Sequence, residues 1–485
     1  MARTVILGAG VAGHTAALHL RRWLPREHDV IVVAPNAKWN WIPSNIWVGI
    51  GRMSTKQVTF PLAPIYRRKG IEFHQALGFE IHGSGDVDNP QPYVMVRYTD
   101  PQREGQVERL EYDYLINATG PKLNFAATPG LGPDGNSWSV CTAGHAEQTA
   151  KELAQVIAKL KAGSPQTLLI GMGHGTCTCQ GAAFEYTFNV EHELVKAGVR
   201  DKAEVVYITN ENQLGDFGMD GMNFGTPNGI VSSQVFTESL FQERGVKAIL
   251  SAAVERVDPG VVHYELVDGT KASQEFDFAM LLPPFRGADL TAFDAHGDDI
   301  TDQVFAPSGF MKVDADYTPK PYEDWKASDW PRTYQSSMFD NVWAAGIAFA
   351  PPHAMSRPRQ TPNGTLIAPA PPRTGMPSGV IGKTVARTIA DRITKGAHAP
   401  AHAASMAEMG AACIASAGKG WLDGTAAAMT VFPIIPDKDT YGPDGRDTKE
   451  TYGEIGLSAH WMKAMLHTMF LYKAKARPFW YLIPE

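Results

Sequence analysis

Three features of the sequence predict an α/β fold of two interleaved Rossmann-like domains with an amphipathic carboxyl end. A glycine turn follows each of two β-branched strands, the chain returns twice to the first of those turns, and apolar and basic residues gather near the C-terminus. The 485 residues are 44% hydrophobic and 20% charged, enough for about three domain-sized units and too apolar for disorder. A formal net charge of -7 argues against whole-chain affinity for nucleic acid or anionic membrane. Four cysteines in this length are not a secreted disulfide framework, so a catalytic or redox use is the better expectation. No apolar run approaches the ~18 residues of a transmembrane helix, and Met1 to Gly10 lacks the long apolar segment of a leader.

Thr4 to Leu7 reads as a buried parallel strand, Gly8-Ala9-Gly10-Val11-Ala12-Gly13 as the turn, Ala16, Ala17, Leu18 and Leu20 as a sheet-packing helix, and Val30 to Ala34 as the next strand. The second unit starts with Thr167 to Ile170, turns at Gly171-Met172-Gly173-His174-Gly175, and continues through a helix with Ala182, Ala183, Phe184 and Tyr186 to the strand Ala203 to Thr209. Leu115 to Gly120, with Thr119 and Gly120, resembles the Ala-Thr-Gly return to the first unit, and Val342 to Gly346 is a second such return. This is the signature of two-dinucleotide flavoproteins. The expected division is 1–120 with 335–400 for an FAD domain, 121–334 for the second domain, and 401–485 for a C-terminal region with membrane-contact helices. The proline-rich Pro351 to Pro377 reads as a long surface loop.

Gly8, Gly10 and Gly13 are the candidates for holding a pyrophosphate, because such a turn admits close backbone approach and a helix N-terminus favours negative charge. The acidic ribose ligand expected after the second strand is missing, since that strand ends Ala34-Pro35-Asn36. Asn36 or backbone would take its place.

Cys141 lies just ahead of a predicted helix, Cys177 and Cys179 lie in the second glycine turn, and Cys413 is far away in sequence. A thiol at a helix N-terminus is a good nucleophile of lowered pKa, and Cys179 fits that description. A buried small apolar side chain is the alternative for Cys177. The Cys-Thr-Cys spacing does not suit zinc, so no metal is expected.

Several segments together resemble the sulfide:quinone oxidoreductases of the membrane-associated bacterial type, relatives of flavocytochrome c sulfide dehydrogenase. They are Gly8 to Gly13, Trp41 to Asn45, Ala118 to Leu123, Ser139 to Glu147, Cys179 to Tyr186, Phe285 to Gly287, Ala344 to Ala348, and Cys413 with Gly418, spread over nearly the whole chain. The resemblance implies that Cys179 and Cys413 alternate between a disulfide or polysulfide bridge and free thiolates on one side of FAD. Hydrosulfide attacks a bridged sulfur, and two electrons then enter the flavin. It further implies that Cys141 matches a cysteine that attaches FAD covalently in some members, and that His145 and Glu185 line the sulfide side. For these two a helix cap and a structural ion pair stay open as alternatives. Ser44 and Gly346 are added to the cofactor residues. Asp216 stands where some relatives carry histidine, the late Ala-Ala-Gly-Ile lacks a ribityl-binding aspartate, and Cys177 is extra, so either it or Cys179 is the partner of Cys413.

From Glu454 to Glu485 there is no acidic residue between the two, whereas Lys463, Lys473, Lys475 and Arg477 are present and Met462, Met465, Leu466, Met469 and Phe470 recur at helical spacing. That pattern suits an in-plane membrane helix or one packed on the protein's own core. Relatives use this end for membrane contact and a quinone pocket, which assigns Phe470, Tyr472 and Ile414 to the quinone. The expected protein is a peripheral enzyme of the bacterial inner membrane, on a face left open, with sulfide and quinone as partners and a homo-oligomeric state. The competing readings are a type 2 NADH:quinone oxidoreductase, a soluble sulfide dehydrogenase serving a cytochrome, and a non-enzymatic scaffold.

Overall fold

The computed structural model describes residues 1–485 except 227–228, 373–374 and 419–423. The β-branched run Arg3–Leu7 becomes a strand whose Val5, Ile6 and Leu7 are buried, as the centre of a parallel sheet requires. That sheet has five parallel strands in the order Val342–Ala344, Tyr114–Asn117, Arg3–Leu7, Asp29–Val33, Glu72–His74. Both predicted returns are therefore adjacent strands, with Trp343 opposite Ile116.

Helix α1, Val11–Trp23, leaves the first strand through the glycine turn. Gly8 has φ +102, and a Cβ there would stand 2.1 Å from the Ala118 carbonyl oxygen, so only glycine lets the turn pass beneath the Ala118–Thr119 segment. Helix α2, Ala63–Lys69, lies just ahead of the edge strand Glu72–His74. The second unit holds helix α3, Ala143–Lys161, helix α4, Gln180–Lys196, and a parallel sheet ordered Val246–Ile249, Ala203–Ile208, Gln166–Met172, Phe278–Leu282.

Two expectations need correcting. The Pro351 to Pro377 stretch is only in part a surface loop, exposed over Arg357 to Gln360 and Pro362 to Gly364. Met355, Ser356 and Ile367 in it are buried, Arg359–Gln360 pairs with Leu366–Ile367, and helix α5, Gly375–Lys395, begins within it. Residues 373–374 of the stretch lie outside the described residues. The C-terminal region, expected to carry membrane-contact helices within 401–485, is built on a five-stranded sheet in the order Gly229–Ser232, Asn223–Thr226, Tyr452–Gly456, Gly424–Val431, Ala411–Gly418. Two of those strands come from the second domain, so the sheet crosses the expected boundary. Helix α6, Leu457–Ala474, lies across it, with Ala459 and Leu466 packed on Ile414, Ala426 and Ala428. These small side chains bring the helix close to the strand that carries Cys413.

Candidate active site

The first glycine turn suits a dinucleotide pyrophosphate. Helix α1 starts with no side-chain cap and no acidic residue in its first turn, so its first N–H groups stand available to an anion. A Cβ at Gly10 would meet nothing within 4 Å, whereas one at Gly13 would lie 2.1 Å from the Gly8 carbonyl oxygen. The turn is open on its outer side and closed on its inner one. Thr119 and Gly120 follow the strand Tyr114–Asn117, with the Thr119 hydroxyl donating to Asn117 Oδ1 at 2.8 Å. Gly346 returns against α1, where a Cβ would sit 2.7 Å from that of Ala12. Asn36 is exposed beyond the second strand. Ser44 is fully buried and its hydroxyl hydrogen-bonds with His467 Nδ1 at 2.8 Å, which ties it to α6.

The second glycine turn is built differently. The strand ends at Met172 and α4 begins only at Gln180, so the intervening residues carry cysteines instead of presenting a helix N-terminus at the glycines. Cys179 is the N-cap residue of α4 and adopts a left-handed conformation, φ 71 and ψ 36, which is strained for a residue with a Cβ. In the first turn of α4, a Cβ on Gly181 would stand 2.8 Å from Cys413 Sγ. Glycine at 181 thus makes the room in which the Cys413 sulfur rests against the start of the helix that Cys179 caps.

Burial pushes the Cys413 thiol up to about 12, with the charges of Glu185 and Cys179 adding to the shift and Lys463 opposing it. The Cys141 thiol is likewise pushed up to about 12 by burial, against a hydrogen bond with Ser139. Neither therefore has the lowered pKa of a helix-terminal thiol. Cys177 is fully buried, its thiol donates to the Leu282 carbonyl at 3.1 Å, and burial raises its pKa further. Its sulfur is engaged in the core.

Glu185, on α4, is buried with its Oε2 2.9 Å from Lys463 Nζ, and it accepts a long bond from the Ser416 amide at 3.4 Å. Burial raises its pKa more than Lys463 lowers it. Lys463 also donates to the Ile414 carbonyl at 3.3 Å, and Ser416 Oγ is 2.6 Å from His460 Nδ1. Lys463 is consequently not a surface cation, and Lys473 is not one either, since its Nζ lies 2.7 Å from the buried Glu485 carboxylate. The sequence offered no sign of either partner. His145 donates its backbone N–H to Thr142 Oγ1 at 3.1 Å in the first turn of α3, and its ring sits edge-on to Phe125. Burial lowers its pKa.

The proline-rich stretch lies over the second glycine turn. The Ala368 N–H donates to the Gly175 carbonyl at 2.9 Å, the Ala370 N–H to the Cys177 carbonyl at 3.0 Å, and Thr178 Oγ1 to the Pro371 carbonyl at 3.1 Å. Its other end is anchored on the buried Glu265 carboxylate, which accepts from Asn363 Nδ2 at 3.0 Å and Thr365 Oγ1 at 2.7 Å. A Cβ on Gly175 would lie 2.4 Å from the Leu366 carbonyl oxygen. Glu211, at the end of the strand where a nicotinamide ribose would be held, is buried and occupied by the Phe217 N–H at 2.8 Å and Thr209 Oγ1 at 2.7 Å.

The residues assigned to a quinone separate. Ile414 is buried against Leu466. Phe470 is stacked on Trp41, centroids 4.7 Å apart, inside the core. Tyr472 donates its hydroxyl to the Pro478 carbonyl at 2.9 Å, toward the C-terminal tail.

The family model of pyridine nucleotide-disulphide oxidoreductases matches residues 2–203. A sulfide-quinone reductase of Aquifex aeolicus (strain VF5) is 27% identical over 473 residues, 97% of this chain and 90% of that protein. The structure of the sulfide:quinone oxidoreductase from that bacterium superposes with a TM-score of 0.75 over 98% of this chain and 92% of that one. NDH2 from Plasmodium falciparum, at 13% identity and a TM-score of 0.63 over 99% and 97% of the two chains, shares the fold. The resemblance read from the sequence is borne out over nearly the whole chain, as is the α/β fold.

Proposed function

We propose that this chain, an FAD-dependent oxidoreductase similar over nearly its whole length to a sulfide:quinone oxidoreductase, oxidises hydrosulfide to zero-valent sulfur at Cys179 and Cys413 and delivers the electron pair through FAD to a membrane quinone. The observation that carries the reading is the seat of Cys413 Sγ over Gly181, at the start of the helix that Cys179 caps.

FAD, when bound, supplies the two-electron acceptor, held by the Gly8 to Gly13 turn with Thr119, Gly120 and Gly346. The thiols do the sulfur chemistry. Hydrosulfide attacks the bridged form, breaking its S–S bond and leaving a persulfide on one cysteine and a thiolate on the other. Joining persulfide and thiolate as a trisulfide releases one proton and two electrons, and the electrons go to the flavin. Glu185, whose charge acts on the Cys413 thiol, takes that proton, because burial makes its carboxylate a better base than an exposed one. Lys463 keeps the ionised forms of Glu185 and Cys413 accessible. Cys177 is set aside as the bridge partner because its thiol is engaged with Leu282. Cys141 is the position from which FAD would be attached covalently, and His145 lines the same side.

The outward face of α6 shows Trp461, Met462 and Met465, with Phe479 and Leu482 following in the tail. This face suits in-plane contact with a bilayer, from which a quinone approaches α6 beside Leu466, with Ile414 buried behind it. No helix among the described residues is long and apolar enough to cross a membrane. The expected state is a peripheral homo-oligomer.

The NADH-oxidising alternative is disfavoured by the segment laid across Gly175 and Cys177. The test is anaerobic addition of sulfide to the purified yellow protein. Bleaching of the flavin that a quinone reverses, and that Cys179→Ala and Cys413→Ala each abolish, is the expected result. Bleaching by NADH but not by sulfide overturns the proposal.

A further inference from the structure

The apolar face of α6 is bordered by cations that the protein does not neutralise, and most of them are not where the sequence suggested. With Lys463 and Lys473 turned inward to Glu185 and Glu485, the C-terminal helix and tail keep only Lys475 and Arg477. The others come from the last turn of α2, where Arg67, Arg68 and Lys69 follow one another. Arg68 Nη2 donates to the Lys475 carbonyl at 2.7 Å, which fixes the end of α2 against the end of α6. Arg26 adds a sixth cation by donating to the Lys69 carbonyl at 2.8 Å. Among the described residues, none of the six lies within 4.0 Å of a carboxylate.

A helix C-terminus favours cations, and this accounts for some of the charge on α2. Lys475 caps the C-terminus of α6 and shares that explanation, but the helix ends alone do not bring the two sets of cations to one place, as the Arg68–Lys475 contact does. Mutual repulsion is evident at Lys69, whose pKa burial lowers with the charges of Arg68 and Arg26 adding to the effect. The tail that follows the cluster is apolar, with Phe479 67% and Leu482 70% exposed. Cations beside exposed apolar side chains complement the interface of a bilayer, where phosphates lie just outside the acyl chains.

We propose that the cluster formed by α2 and the end of α6 binds the phosphates of anionic phospholipids, so that the enzyme docks on acidic bilayers in preference to zwitterionic ones. The proposal rests on the membrane placement of α6 and not on the identity of the substrate. The net charge of -7 does not oppose it, because charges more than about 10 Å from the contact are screened at physiological salt.

The test is co-sedimentation of the full-length holoenzyme with phosphatidylcholine vesicles, with and without phosphatidylglycerol, across a salt series. The wild type should prefer the acidic vesicles and lose that preference at high salt. Arg67→Gln and Arg477→Gln should each weaken acidic-vesicle binding about fivefold, and the triple variant with Lys475→Gln about a hundredfold. Arg68 is left intact because its guanidinium joins two elements. Flavin content and reduction by sulfide in detergent should not change in these variants. Equal binding of the wild type to both vesicles would overturn the proposal, as would wild-type salt dependence in the triple variant. Salt-sensitive self-association without vesicle binding would also overturn it, by assigning the cluster to an acidic protein surface. If sulfide fails to reduce the flavin while the vesicle results hold, the substrate reading falls and the lipid site stands.

Discussion

Lys463 Nζ lies 2.9 Å from the Glu185 carboxylate, both side chains nearly buried, and this pair joins the C-terminal helix to the helix that carries the thiol turn. A buried pair of this kind gains little over an apolar replacement of both members, but removal of one member leaves the other charge unpaired. Lys463→Met is therefore expected to cost about 3–5 kcal/mol, read as a lower denaturation midpoint at unchanged slope. Lys463→Met combined with Glu185→Gln should recover most of that loss. Equal midpoints for the single and double variants would show that the two side chains are not coupled.

Glu211 makes a pH-dependent contribution of defined sign. Burial and the nearby Asp216 charge raise its carboxyl from 4.5 to about 8, against bonds from the Phe217 amide, Thr209 and Tyr207. The folded state thus binds this proton more tightly than the unfolded chain does. The resulting stabilisation is complete below about pH 4.5 and is lost as pH rises toward about 8. Glu211→Gln, which mimics the protonated form, should flatten that part of the stability profile. Denaturation midpoints measured across the window check this, and an unchanged slope in the variant would rule Glu211 out as its source.

The parts of the site that were legible in the sequence are those set by local pattern. The two β-branched strands, their glycine turns and the two returns needed only short-range features, and the strands and returns appear in the two parallel sheets, each strand running into its glycine turn. What was not legible depends on tertiary contact. Lys463 and Lys475 are equivalent in a sequence pattern, yet one turns toward Glu185 and the other stays at the surface near Arg68. The strand Ala411–Gly418 is rich in alanine and glycine, weak strand formers, and is a strand because Gly424–Val431 pairs with it along its whole length. The proline-rich stretch has no periodicity because its backbone bonds go to Gly175 and Cys177.

Cys177 and Cys179 are separated by one residue and by opposite surroundings, and substitution distinguishes them. Cys177→Ala removes a fully buried thiol and its bond to the Leu282 carbonyl. A loss of about 1–2 kcal/mol of stability with sulfide-driven flavin bleaching retained is expected. Cys179→Ala should abolish bleaching and leave the denaturation midpoint nearly unchanged. The reverse pattern would make Cys177 the partner of Cys413.

Gly181→Ala separates stability from activity at one atom. Glycine in a helix is disfavoured relative to alanine by about 0.5–1 kcal/mol, so for α4 alone the substitution is favourable. The added methyl, however, would stand 2.8 Å from Cys413 Sγ, which is too close for a carbon and a sulfur. The sulfur must move away from the start of α4, and with it from the Cys179 cap. A misplacement of this size at a reacting centre is worth on the order of 100-fold in rate. The variant should therefore keep its flavin and melt close to the wild-type temperature, while anaerobic reduction by sulfide slows by about that factor. Stopped-flow absorbance of the flavin measures the second quantity and a thermal melt the first. Wild-type rates of reduction in Gly181→Ala would show that the position of the Cys413 sulfur against this turn does not matter to the chemistry.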